Sequence, residues 1–307
     1  MVQETIEPSK KVKAVGNWWL KVQEASKEHQ SLDDAREFNE SWQALTAEPG
    51  EVDYVETIAG GVPAMWAIPK KANTEKVLLC FHGGGFFSGS MYTHRKLFAH
   101  FAKNIGCRAL ILNYRRSPEF SHPAQVNDAL SAYEWLINEG GINPKDIAFT
   151  GDSAGGNLAI TTMLLARDRG ITLPAASMPF CAYFDMEVSG ASMISNLGKD
   201  LLFTKEWVIQ ITQMFLGEKG DPKDIYANPL YADLSGLPPI YIQVGGDELL
   251  LDDNIKLIEL AKKAGVDASI DIFPRMQHTW HMAVGRAPEA NDAIARYVAW
   301  IKPKLGL

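Results

Sequence analysis

A serine hydroxyl is a weak nucleophile until a base takes its proton and a carboxylate fixes that base. Ser153 is the serine whose neighbours suit this chemistry. It stands in Gly151-Asp152-Ser153-Ala154-Gly155, behind the apolar run 147–150 and ahead of a helical pattern opening near Asn157. Strand, sharp turn and helix are the context of a nucleophile elbow. Such a turn lifts the hydroxyl clear of a sheet and sets it at a helix N-terminus, where developing negative charge is favoured. By composition alone the pentapeptide would arise in roughly one unrelated chain in ten of this length. A second motif, His82-Gly83-Gly84-Gly85, is far rarer and follows the apolar run 77–81. Consecutive glycines let backbone N–H groups turn into one space. The amides of Gly84, Gly85 and Ala154 are therefore the expected donors to an oxyanion, with His82 and Gly83 ordering the loop.

The base must come after the serine, and only His278 and His281 do. His278 follows the apolar run 269–273 and is the expected base; His281 is expected to pack as a buried aromatic. The acid is expected at Asp247, in Gly245-Gly246-Asp247-Glu248, just past the run 240–244. Glu248 and Asp252 are its rivals, with Asp252 expected to cap the helix that follows. Asp247 and His278 both fall past the C-terminal ends of predicted strands, where open α/β sheets place their sites.

The elements that must position these groups alternate. Predicted strands at 52–57, 63–68, 77–81, 107–114, 147–150, 176–181, 240–244 and 269–273 are separated, from the third onward, by helical patterns near 93–104, 128–139, 157–169 and 254–264. A last helix is expected at 290–301. Buried apolar strands between amphipathic helices imply an α/β fold with an eight-stranded, mostly parallel sheet covered on both faces. Residues 1–48 read as two helices, one with Val15 and Trp19 on its apolar face and Ser9 as N-cap, the other following Ser31. Residues 185–233 read as a helical insertion rich in Met and aromatic side chains. The expected division is an N-terminal helical segment, 1–48, and a catalytic domain, 49–307, with 185–233 inserted in it.

The 307 residues are 46% hydrophobic and 22% charged, with a net charge of −7. No basic run suits a phosphate backbone, so nucleic acid is not an expected partner. No apolar stretch is long enough to span a bilayer, and the polar N-terminus lacks a signal-peptide core; a soluble, cytoplasmic protein is expected. Cys80, Cys107 and Cys181 are an odd number in apolar surroundings and read as reduced core thiols. No Cys/His spacing suits zinc, and no metal site is expected. The run from Ser269 to Phe273 reads as the last strand, an edge through which a homodimer could pair.

Together these residues resemble the hormone-sensitive-lipase-like esterases of the α/β-hydrolase superfamily. The likeness rests on His82-Gly83-Gly84-Gly85, Gly151-Asp152-Ser153-Ala154-Gly155-Gly156, Gly246-Asp247 and His278, and on Tyr114-Arg115-Arg116-Ser117-Pro118-Glu119 with Pro123 and Asp128 behind it. It runs from about residue 50 to the C-terminus. Arg116 departs from the family's usual Leu, and Asp247-Glu248-Leu249-Leu250 departs from its common Asp-Pro-Leu. The resemblance implies an α/β-hydrolase fold with a cap built from the N-terminal helices and the insertion. It also implies hydrolysis of short- to medium-chain acyl esters, small-molecule substrates, without a cofactor. A lactone hydrolase with the same triad, or a silent ligand-binding protein on the same fold, are the alternatives. Trp18, Trp19, Phe38, Trp42, Phe86 and Phe87 are expected to help narrow an acyl pocket.

Overall fold

A computed structural model describes residues 7–27 and 31–307. Eight strands form one sheet: β1 (Val52–Ala59), β2 (Val62–Pro69), β3 (Asn73–Phe81), β4 (Cys107–Leu112), β5 (Ile147–Asp152), β6 (Ala176–Phe180), β7 (Ile240–Gly245) and β8 (Ala268–Phe273). Their spatial order is β1-β2-β4-β3-β5-β6-β7-β8. The first two strands make a hairpin, β2 meets β4 antiparallel, and every pairing from β4–β3 to β7–β8 is parallel. The reason is visible in burial. Strands β5, β6 and β7 are buried at every residue, as a parallel sheet covered on both faces demands, whereas β1 alternates and is largely exposed.

The helices are α1 (Lys13–Ser26), α2 (Leu32–Asn39), α3 (Met91–Ile105), α4 (Ala124–Asn138), α5 (Ala154–Asp168), α6 (Ser192–Ser195), α7 (Lys205–Leu216), α8 (Leu251–Lys263) and α9 (Pro288–Ile301). Helices α3 and α9 pack together on one face of the sheet; α4 and α5 pack together on the other, with α8 against β7 and β8. Helix starts are locally encoded. Ser31 accepts from the amide of Asp34 to cap α2, and Ser90 caps α3 in a reciprocal box with Thr93. Ser9 lies a turn ahead of α1, where its Oγ accepts from the amide of Val12.

The insertion between β6 and β7 carries α6 and α7 and no strand. With α1 and α2 it lies outside the alternating strand–helix core. Strand β8 is an edge of the sheet, with Ile272 exposed. All three cysteines are buried and unpaired. Burial pushes the Cys107 thiol up to about 12 and those of Cys80 and Cys181 up as well. Cys181 departs from expectation in its backbone: β6 ends at Phe180, and Cys181 turns with φ +47. No helix among the described residues is long and apolar enough to cross a membrane.

Candidate active site

Strand β5 delivers Ser153 into a turn at φ +53, ψ −119, and α5 starts at the next residue. That backbone is strained for a residue with a Cβ, and it is braced on both sides. The Ser153 amide donates to the carbonyl of Phe180, and the Ser153 carbonyl accepts from Tyr183. The tight crossing explains Gly155, where a Cβ would sit 1.9 Å from the carbonyl oxygen of Phe81.

Beyond β3 the His82 loop folds beside the elbow. Gly84 has φ +115, and a Cβ there would lie 2.2 Å from the Ser88 carbonyl oxygen, so only glycine fits. The amides of Gly84, Gly85 and Ala154 donate to no backbone acceptor among the described residues. Asp152 orders this loop: its Oδ1 accepts from the Gly83 amide at 3.0 Å and its Oδ2 lies 3.1 Å from His94 Nε2. Burial raises the Asp152 carboxyl, but His94, His278 and His82 together outweigh it, and the net effect holds it below the usual range. His82 turns away from the chemistry. Its Nδ1 meets the Gly83 carbonyl at 2.7 Å, its ring stacks on Tyr114, and burial depresses it to about 3.

His278, past β8, lines the same cavity as Ser153. The carboxylate that meets it is Glu248, not Asp247. His278 Nδ1 lies 2.7 Å from Glu248 Oε2, with both side chains buried. The reason is the turn after β7. The amide of Glu248 donates to the carbonyl of Gly245, and its Oε1 accepts in return from the Gly245 amide. This folds residue 248 inward under His278, while Asp247 remains partly exposed at the turn, its carboxyl raised by burial and making no contact with His278. The insertion holds the same turn from outside: Asn196 Nδ2 donates to the carbonyls of Gly246 and Glu248, and Asp200 Oδ2 accepts from the Leu249 amide.

The remaining expectations divide. His281 is fully buried between Phe180 and Trp280, its Nε2 2.9 Å from Gln243 Oε1. Asp252 does not cap its own helix; it lies in the first turn of α8 and accepts from the Ser192 amide, anchoring α6. Glu119 is tied to Arg36 of α2, at 2.7 Å through each carboxylate oxygen. Arg36 and His94 carried no readable sequence signal: one is a lone arginine in an amphipathic helix, the other a polar residue on the buried side of α3.

Over Ser153 lies a cavity of about 70 Å³. Its apolar lining includes Trp19, Val22, Phe87, Phe203, Trp207 and Met282. Phe86 departs from expectation: it stacks on Phe215 at 3.7 Å, away from the cavity. Among the described residues, the cluster spaced to hold a metal is Cys181, Glu248 and His278, whose donor atoms lie within 4.8 Å of one another. Glu248 and His278 already satisfy each other there.

A serine at an elbow and a histidine backed by a buried carboxylate, set at the ends of strands in an eight-stranded, mostly parallel sheet, are the features of a hydrolase of the α/β-hydrolase class. A family model described as "alpha/beta hydrolase fold" matches residues 78–282. An acetyl-hydrolase of Streptomyces hygroscopicus is 34% identical over 94% of each chain. A crystal structure described as an esterase from the bacterial hormone-sensitive lipase family superposes with a TM-score of 0.93 at 38% identity, covering 98% of this chain and 100% of that one. The structure of EstE5 soaked with p-nitrophenyl butyrate gives 0.88 at 29% identity, covering 97% and 100%. The chain belongs to the hormone-sensitive-lipase-like esterases, and it is a carboxylic ester hydrolase.

Proposed function

We propose that the protein hydrolyses short-chain acyl esters through an acyl-enzyme on Ser153, with His278 as base and Glu248 as the acid that orients it. The observation that carries this reading is the buried His278–Glu248 contact at 2.7 Å, with His278 lining the same cavity as Ser153. His278 Nε2 takes the Ser153 proton as Oγ attacks the ester carbonyl. The C–O bond order falls, and the oxyanion is received by the amides of Gly84, Gly85 and Ala154. Glu248 keeps the proton of His278 on Nδ1 and offsets the imidazolium charge. The tetrahedral intermediate then collapses: its bond to the leaving oxygen breaks as that oxygen takes the Ser153 proton held on His278 Nε2, and water repeats the sequence to free the acid and restore Ser153.

The cavity lining supports the substrate class. Trp19, Val22, Phe87, Phe203, Trp207 and Met282 crowd the space over Ser153 with bulky apolar side chains, which suits a short acyl chain. Each further methylene would lose the roughly 0.8 kcal/mol that its burial contributes. The S. hygroscopicus relative's name, an acetyl-hydrolase, points the same way. The segments 1–48 and 185–233 serve here as the cap: Trp19 and Val22 come from the first, Phe203 and Trp207 from the second. The test is a series of p-nitrophenyl esters. kcat/KM is expected to peak at acyl chains of about four to six carbons and to fall steeply by about twelve, with Ser153→Ala inactive throughout. A maximum at long chains overturns the substrate class; an active Ser153→Ala protein overturns the mechanism.

A further inference from the structure

The oxyanion loop turns on itself, with the amides of Phe87 and Ser88 both donating to the Gly84 carbonyl, and it is also held from outside on both sides. Gly84, Gly85 and Phe86 are three successive residues at positive φ, +115, +59 and +63. Asp152 secures the N-terminal side of this run through the Gly83 amide. Its C-terminal side is gripped from a different part of the chain. Arg36, on α2, donates through Nε to the Phe87 carbonyl at 2.8 Å and through Nη2 to the Ser117 carbonyl at 3.0 Å. Its remaining fork engages both carboxylate oxygens of Glu119. Ser117 in turn donates its amide to the carbonyl of Phe86, at 2.9 Å. One guanidinium thus ties together the loop after β3 and the loop after β4. One helical turn on, Asn39 Nδ2 donates to Ser88 Oγ at 3.1 Å.

The chemistry of this contact is specific. Four donors in a fixed plane meet two carbonyls and one carboxylate, which an ammonium on a flexible stem cannot reproduce. The Arg36 side chain is only 12% exposed, so its charge needs the partner that Glu119 supplies. Glu119 responds, its carboxyl drawn down to about 2 by the Arg36 bond.

We infer that Arg36 is a positioning residue for the oxyanion hole: α2 sets the spacing between the Gly84 and Gly85 amides and that of Ala154. This rests on the acyl-serine reading above and adds to it that the cap segment acts on the chemical step, beyond lining the cavity. A residue that merely anchored α2 would alter stability or KM; one that places donors for a charge formed only in the transition state alters kcat.

The experiment compares Arg36→Ala, Arg36→Lys and Glu119→Gln with the wild type on p-nitrophenyl butyrate, well below each variant's melting temperature. Both Arg36 variants are expected to lose kcat by roughly ten- to a hundredfold, the scale of a small misplacement at a reacting centre, with KM changed less than about threefold. Glu119→Gln should fall between them and the wild type, because Arg36 keeps its two carbonyl acceptors. Added guanidinium should restore part of the Arg36→Ala rate, whereas methylammonium should not. A kcat within twofold of wild type in the Arg36 variants overturns the inference, as does a change confined to KM. If Arg36→Ala does not fold, Arg36→Lys and Glu119→Gln decide it alone. A wild type inert to a fluorophosphonate would sink the acyl-serine reading instead; a reactive wild type with unimpaired Arg36 variants sinks only this one.

Discussion

Two adjacent carboxylates, Asp247 and Glu248, follow β7, and only one of them meets His278. Replacing Glu248 by Gln keeps the shape and removes the charge. An amide there can present N–H toward His278 Nδ1, which disfavours the tautomer that leaves Nε2 free to accept the Ser153 proton. Glu248→Gln should therefore lower kcat by about three to four orders of magnitude, while Asp247→Asn should stay within about threefold of wild type, as partly exposed substitutions do. Kinetics of the two variants on one ester give the ranking; the reverse order would return the role to Asp247. Sequence reasoning favoured Asp247 with Glu248 as a rival, and the carboxylate that the structure sets against His278 is Glu248. A strand end can be read from hydrophobic pattern, but a short turn has no periodicity, so nothing tells which of two neighbours folds inward. The deciding contacts are the Glu248 amide on the Gly245 carbonyl and Glu248 Oε1 on the Gly245 amide, and these exist only once the turn is made. The turn at Ser153 and the glycine loop were legible because each sits in a motif whose backbone demands are visible in the residue types, and His278 because only two histidines follow Ser153.

Among the elements, the parallel strands and their helices were read to within a few residues, since buried runs of five or six apolar residues leave few alternatives. Less legible was what the N-terminal helices do. Their apolar faces announced packing, but the polar atoms on those faces carry the consequence. Trp19 Nε1 donates to the carbonyl of His278 at 2.7 Å, fully out of water. The following residue, Thr279, is at φ +51, so this carbonyl sits at a strained bend where a fixed donor matters. Trp19→Phe keeps most of the ring and removes the donor. Leaving that carbonyl unsatisfied is expected to cost about 1–3 kcal/mol and to lower kcat severalfold, as the base loses its backbone anchor. Thermal unfolding and steady-state rates measure the two effects; an unchanged kcat would confine Trp19 to packing.

At the scale of the whole molecule, acid stability follows from histidines held neutral in the interior. Burial depresses His82 and His281 to about 3, and it lowers His100 and His122 too. In the unfolded chain these rings titrate near about 6.5. Between those limits the unfolded state binds more protons, so stability rises with pH. Their contribution is complete above about pH 6.5 and is lost as pH falls below it, by at most about 1.4 kcal/mol per pH unit for each ring. Melting temperature should hold between pH 8 and 7 and drop progressively from pH 6 to 4. His281→Gln should be less stable at pH 7.5 yet show a shallower decline. A melting temperature flat from pH 7 to 4.5 would contradict the assignment of these rings as buried and neutral.

The bonds from the insertion to the turn after β7 bear on how this protein could be re-engineered. Asn196 and Asp200 supply three hydrogen bonds to residues 246–249, within a segment that also contributes Phe203 and Trp207 to the cavity wall. The part of the chain that would be exchanged to change acyl preference is thus also scaffolding for the carboxylate that meets His278. Grafting a relative's 185–233 segment is not a modular swap. A transplant that omits the side chains at 196 and 200 would arrive with a new pocket and a loosened Glu248, and its lost turnover would be misread as poor substrate fit.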